Sequence, residues 1–152
     1  MRLIHVLDFK QEPNEVVTVS PEASVREAVD LLCEHRIGAL PVVDPETGVV
    51  LGIVTERDVL AKCCRSCTAS ADIPVSEIMT ADVVTGNPTD RVVDTLRMMS
   101  EKRIRHVPLV DEGKLVGIVS IGDVLRALYQ EDEIHLRRLA EYMGGTYRCK
   151  VY

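Results

Sequence analysis

A chain that carries the same sequence twice builds the same supersecondary unit twice, and this chain repeats itself at an offset of 67 residues. Val16-Val17-Thr18 returns as Val83-Val84-Thr85, Pro21 as Pro88 and Val25 as Val92. Arg36-Ile37 returns as Arg103-Ile104, and Pro41, Val43 and Asp44 as Pro108, Val110 and Asp111. The offset then falls to 65, where Gly52-Ile53-Val54 matches Gly117-Ile118-Val119 and Asp58-Val59-Leu60 matches Asp123-Val124-Leu125. The two-residue slip lies between Asp44-Pro45-Glu46-Thr47-Gly48 and Asp111-Glu112-Gly113. Those are turn sequences, and turns are where a chain tolerates changes of length.

Each repeat reads β-α-β-β-α. Residues 16–19 form a β-branched run, read as a short strand. Ser24-Val25-Arg26-Glu27 has the spacing of a capping box. Val25, Ala28, Val29 and Leu32 then follow at helical spacing and give one apolar face, with Cys33 expected as a small core residue. Residues 40–43 and 49–54 flank a Pro/Gly turn and predict a hairpin. A second helix is expected from about Glu56. In the second repeat Val92, Leu96 and Met99 take the inner helical face, and a helix from about Gly122 continues or restarts through residues 131–143. The division expected is 1–66 for the first repeat with an N-terminal arm, 67–80 for a linker, 81–130 for the second repeat and 131–152 for a C-terminal helix and tail. Neither repeat has two full layers of its own. The fold class expected is therefore α+β, with two β-α-β-β-α repeats packed sheet to sheet about a pseudo-two-fold axis.

Composition narrows the function. Hydrophobic residues make up 46% of the chain and aromatic residues only 3%, so a flat ligand would be held by aliphatic side chains. The net charge is −6 with no basic run, which argues against non-specific nucleic-acid binding. No segment approaches the ~20 apolar residues of a membrane span, and the charge at Asp8 interrupts the N-terminus too early for a signal peptide. A cytoplasmic protein is expected. Five cysteines are an odd number for a disulfide framework.

Two short motifs carry the candidate chemistry. Thr55-x-x-Asp58 and Ser120-x-x-Asp123 stand where a strand passes into a helix. A hydroxyl there caps the helix, and an acid three residues on returns the bond. The same geometry suits a nucleotide: N–H groups at a helix start accept phosphate, and a nearby carboxylate accepts from ribose hydroxyls. One copy alone would be read as a cap. Two copies in register, each beside an apolar hairpin, favour a ligand.

These residues resemble a CBS-domain pair, or Bateman module. The resemblance rests on residues 37–44 (Ile37-Gly38-Ala39-Leu40-Pro41-Val42-Val43-Asp44), 52–58, Ile78-Met79-Thr80, 104–111 and 117–123, and it covers about residues 1–130. It implies adenine-nucleotide binding in clefts between the repeats and dimerisation into a flat disk. Adenine would lie against Ile37 and Leu40 in one cleft and Ile104 and Val107 in the other, beside Ala39, Pro41 and Pro108, with Thr18 and Thr85 lining the sites. Gly38-Ala39 becomes Arg105-His106 in the second repeat. Arg105 offers a planar fork for phosphate oxygens, and His106 donates, more strongly when protonated. On this reading the Asp123 cleft is the better phosphate site.

No P-loop, G-x-G-x-x-G or His-Glu-x-x-His pattern is present, so a non-catalytic sensor is expected: no required cofactor, an adenine nucleotide as regulatory ligand, a homodimer, and a protein target the sequence does not name. The ligand could be AMP, ADP, ATP, an NAD-type dinucleotide or S-adenosylmethionine. The competing reading is a redox- or metal-responsive adaptor built on Cys63, Cys64 and Cys67, which lack a second ligand pair at zinc spacing.

Overall fold

Residues 9–15, 64–71 and 143–152 aside, the chain runs through two copies of one unit. The structure is a computed structural model that describes residues 1–8, 16–63 and 72–142. In chain order the elements are α1 (Leu3–Asp8), α2 (Val25–His35), β1 (Ala39–Val43), β2 (Val50–Thr55), α3 (Glu56–Cys63), a 3-10 turn (Val75–Glu77), α4 (Val92–Lys102), β3 (His106–Asp111), β4 (Lys114–Ser120) and α5 (Ile121–Tyr142).

The capping box predicted for α2 forms. Ser24 Oγ accepts from the Glu27 N–H at 3.2 Å, and Glu27 Oε2 accepts from the Ser24 N–H at 2.7 Å. These bonds to Ser24 hold the Glu27 carboxyl below its ordinary range. Val25, Ala28 and Leu32 turn inward. Cys33, expected in the core, is exposed. It follows Leu32 by ~100° of helical rotation and so leaves the narrow face that meets the hairpin.

Each hairpin is antiparallel, and each carries a bulge at the same place, between Val42 and Val43 in the first and Leu109 and Val110 in the second. The turns differ as their lengths require. In the first, Asp44 Oδ1 accepts from the N–H groups of Glu46 (2.8 Å) and Thr47 (3.0 Å), which lowers the Asp44 pKa. In the second, Glu112 and Gly113 both have positive φ, 48° and 81°, the backbone of a tight two-residue hairpin.

The strand predicted over residues 16–19 reduces to one bridging residue. Val19 pairs in parallel with Val42, and Gly86 with Leu109. Val19 donates to Pro41 O at 3.1 Å and accepts from Val43 at 3.0 Å; Gly86 does the same with Pro108 O and the Val110 N–H, at 2.9 and 2.8 Å. The next donor in either ladder would be Pro21 or Pro88, and proline has no N–H to give.

The N-terminal arm, expected with the first repeat, packs on the second. Leu3 and Val6 are buried among Val92, Met99, Val107, Leu109, Val119 and Val124. The segment before the second repeat packs on the first: Val75 and Ile78 join Val25, Leu32, Leu40, Val42 and Val54. The two arms are related by the pseudo-two-fold. Leu3 and Ile4 donate to Asp90 O (3.0 Å) and Pro88 O (2.8 Å), while Val75 and Ser76 donate to Ala23 O (2.8 Å) and Pro21 O (3.0 Å). Leu7 lies over Gly117 as Met79 lies over Gly52. The two cores are thus interlocked, each completed by the segment that leads into the other repeat.

Candidate functional site

The two capping motifs are built alike. Thr55 Oγ1 and N–H both donate to Asp58 Oδ2, at 2.6 and 2.9 Å, and the Asp58 N–H donates back to Thr55 Oγ1 at 3.3 Å. Ser120 and Asp123 repeat the pattern, with Ser120 donating to Asp123 Oδ2 from Oγ and N–H at 2.8 Å each and the Asp123 N–H returning at 3.2 Å. One carboxylate oxygen of each aspartate is therefore engaged in starting α3 or α5. In Asp58 the other oxygen, Oδ1, accepts a long bond from Thr80 Oγ1 at 3.4 Å.

A cleft of about 430 Å3 opens between the repeats. From the first repeat it is lined by Gly38, Ile53, the first turn of α3 with Thr55, Glu56, Arg57 and Asp58, and Thr80 from the incoming segment. From the second it is lined by Arg103, Ile104, Arg105, His106 and the start of α5 at Ser120, Ile121 and Gly122. Two helix N-termini thus meet one cavity, and their N–H groups and partial positive charge favour an anion there. Three arginines face two carboxylates, Glu56 and Asp58, around the same space.

Backbone bonds hold its walls in register: Glu56 N–H to Gly38 O at 3.3 Å, and Ile121 N–H to Arg105 O at 2.8 Å. His106 approaches Gly38 across the seam. A methyl group on Gly38 would lie 3.4 Å from His106 Cε1 and 3.8 Å from Glu56 Oε2, so a larger side chain at 38 would crowd the imidazole.

The structure brings together Gly38, Thr55, Asp58, Ile104, Arg105, His106 and Ser120 of the residues singled out in the sequence. Asp123, expected to share a cleft with Arg105 and His106, does not line this one; the basic pair stands opposite Asp58 instead. The hairpins face each other across the axis, so a side chain at the start of β3 reaches the first repeat's helix start. Leu40 and Val107 have no exposed surface, and Ala39 is 4% exposed. Their side chains fill the repeat cores. Pro41 and Pro108 are likewise buried, Ile37 packs on the first core, and Thr18 and Thr85 are exposed away from this cleft. Thr80 and Arg103 escaped sequence reading. Thr80 was visible in Ile78-Met79-Thr80, but only the crossing of that segment onto β2 places it beside Asp58. Cys64, Cys67 and the Cys63 side chain lie outside the described residues, among which no cluster of metal-ligating side chains forms. No helix among the described residues is long and apolar enough to cross a membrane.

The CBS domain family matches the chain twice, over residues 13–64 and 75–130. A CBS-domain protein of Agrobacterium tumefaciens, ATU1752, is 40% identical and superposes with a TM-score of 0.76 over 84% of this chain and 98% of its own. The CBS pair of protein MJ0100, solved with 5'-methylthioadenosine and S-adenosyl-L-methionine, is 30% identical with a TM-score of 0.73 over 86% and 98% of the two chains. CBSX2, solved with AMP, is 29% identical with a TM-score of 0.70 over 82% and 96%. Two interlocked α+β units with a shared cleft define a tandem module. The chain belongs to the CBS-domain family.

Proposed function

We propose that this protein is a non-catalytic regulatory module that binds an adenine nucleotide in the cleft between its repeats and relays occupancy to a protein target. The observation that carries this reading is the juxtaposition of Thr55, Asp58 and Thr80 on one wall with Arg105 and His106 on the other. The ribose hydroxyls donate to Asp58, whose Oδ1 faces Thr80 while Oδ2 holds the cap. The phosphate lies between the two helix N-termini, where Arg105 and His106 donate charge-assisted bonds. Ile53 and Ile104 provide apolar surface for the base.

The ligands of MJ0100 and CBSX2 share adenosine and differ in the charge of the group at the ribose 5' position. Three arginines around this cleft favour the phosphorylated kind. A second, Asp123-centred site is part of the same proposal, built on the equivalent cap of α5. So is a cytoplasmic homodimer joined through α5, on which Leu125, Tyr129, Ile134 and Leu136 are 52%, 62%, 45% and 45% exposed. Apolar surface of that extent on one helix suits a partner surface.

Native mass spectrometry of the protein as purified, followed by isothermal titration with AMP, ATP, S-adenosylmethionine and adenosine, tests the reading. A retained or titratable adenine nucleotide is the expected result. Tighter binding of S-adenosylmethionine than of AMP, or no binding of any, overturns it.

A further inference from the structure

Two arginines sit where the backbone favours glycine. Arg36 ends α2 at φ 52°, and Arg103 ends α4 at φ 55°. In this left-handed region a Cβ crowds the following carbonyl, and glycine is the residue that adopts it without that penalty. A cation near a helix C-terminus is favourable, but that benefit is common to both positions. Their surroundings are not. Arg36 is exposed and away from the cleft, whereas Arg103 lines the cleft's second-repeat wall beside Ile104 and Arg105. Arg57 enters from the first turn of α3 on the opposite wall. In a chain of 18 basic and 24 acidic residues, three guanidinium groups around one cleft run against the overall charge.

We propose that Arg103 is a specificity-determining residue of the cleft, and that with Arg57 and Arg105 it ranks adenine ligands by phosphate number: ATP above AMP, AMP above adenosine. This rests on the nucleotide reading above. Arg105, at the start of β3, serves the first phosphate. Arg103, two residues back and at the exposed rim, serves the phosphates that extend outward.

The test uses the full chain with Arg103→Gly, Arg103→Asn and Arg36→Gly, titrated with adenosine, AMP and ATP at low and high salt, with melting curves for each. Glycine and asparagine both accept the left-handed backbone, so folding is preserved. Arg103→Gly is expected to melt at or up to about 2–4 °C above wild type. Its ATP affinity should fall about tenfold or more, its AMP affinity less, and its adenosine affinity not at all. The ATP advantage of wild type should shrink as salt rises. Arg36→Gly, at the equivalent helix end, should match that thermal shift. Unchanged ATP affinity in both Arg103 variants overturns the assignment, as does an equal loss for all three ligands. If wild type binds none of the three, the nucleotide reading itself fails, and the specificity role with it.

Discussion

Gly52 is the place where one added methyl group should disturb both fold and site. A Cβ there would stand 2.5 Å from Met79 Sδ, 3.0 Å from its Cγ and 3.1 Å from the Thr80 carbonyl oxygen, where ordinary carbon contacts are ~3.5–4.0 Å. The thioether can swing aside. The Thr80 carbonyl cannot move as easily, because it accepts from the Ile53 N–H at 3.0 Å while the Thr80 N–H donates to Ile53 O at 2.8 Å. Overpacking of this kind costs about 1–3 kcal/mol, and alanine recovers roughly 0.5–1 kcal/mol through the smaller conformational freedom of the unfolded chain. The net loss for Gly52→Ala is about 1–2 kcal/mol, or a melting temperature lower by roughly 2–8 °C in a chain of this size. Met79→Ala removes the two nearest atoms, so the double variant should be less destabilised than the sum of the singles by about 1 kcal/mol. Chemical denaturation of the four proteins measures this. A Gly52→Ala protein as stable as wild type, or strict additivity with Met79→Ala, would refute the seating of the linker on β2.

The pseudo-two-fold makes the same demand of Gly117, whose added Cβ would lie 2.8 Å from Leu7 Cδ1. Gly117→Ala should therefore be partly rescued by Leu7→Ala, and an unrescued loss in denaturant melts would speak against it. Deleting residues 1–8 removes Leu3 and Val6 from the second core and should lower stability by several kcal/mol, given about 1.5–3 kcal/mol per buried aliphatic side chain; an unchanged unfolding midpoint would show the arm to be dispensable. Asp58→Ala loses a helix cap worth about 0.5–2 kcal/mol and, by calorimetry, about 10- to 150-fold in nucleotide affinity. A destabilised variant with wild-type affinity would leave Asp58 a cap and nothing more. Because the Ser24 bonds depress the Glu27 carboxyl below its ordinary value of 4.5, its contribution to stability is present above that value and is lost as pH falls through the lowered one. Glu27→Gln should flatten that acid limb, and an unaltered pH profile would remove the capping box from the account.

What the sequence made legible was local. The repeats, the α2 capping box, both hairpins and the Thr55/Asp58 and Ser120/Asp123 caps depend on residues within a few positions of one another, where pattern and physics coincide. The arms were not legible, although their signal exists. Leu3-x-x-Val6-Leu7 mirrors Val75-x-x-Ile78-Met79 at a spacing of 72, not 67, so an alignment in register passes over it. Nor does any local pattern say that each arm crosses to the other repeat. The cleft shared the same difficulty. Arg105 and His106 were recognisable as a basic pair, but their standing opposite Asp58 depends on how two hairpins meet. Leu40 and Val107 show the converse: an apolar residue beside a ligand motif reads as a contact, and only burial reveals that its side chain is already used in the core.

The most direct test of the nucleotide cleft is a pair of calorimetric titrations, AMP and adenosine, on wild type and on the Arg105→Gly/His106→Ala variant. If the phosphate lies between the two repeats, wild type binds AMP more tightly than adenosine, and the double variant loses most of that preference, up to the ~2–4 kcal/mol that two lost donors represent before water replaces them. If wild type binds adenosine as tightly as AMP, or the variant keeps the full AMP preference, Arg105 and His106 do not hold a phosphate and the central claim is wrong.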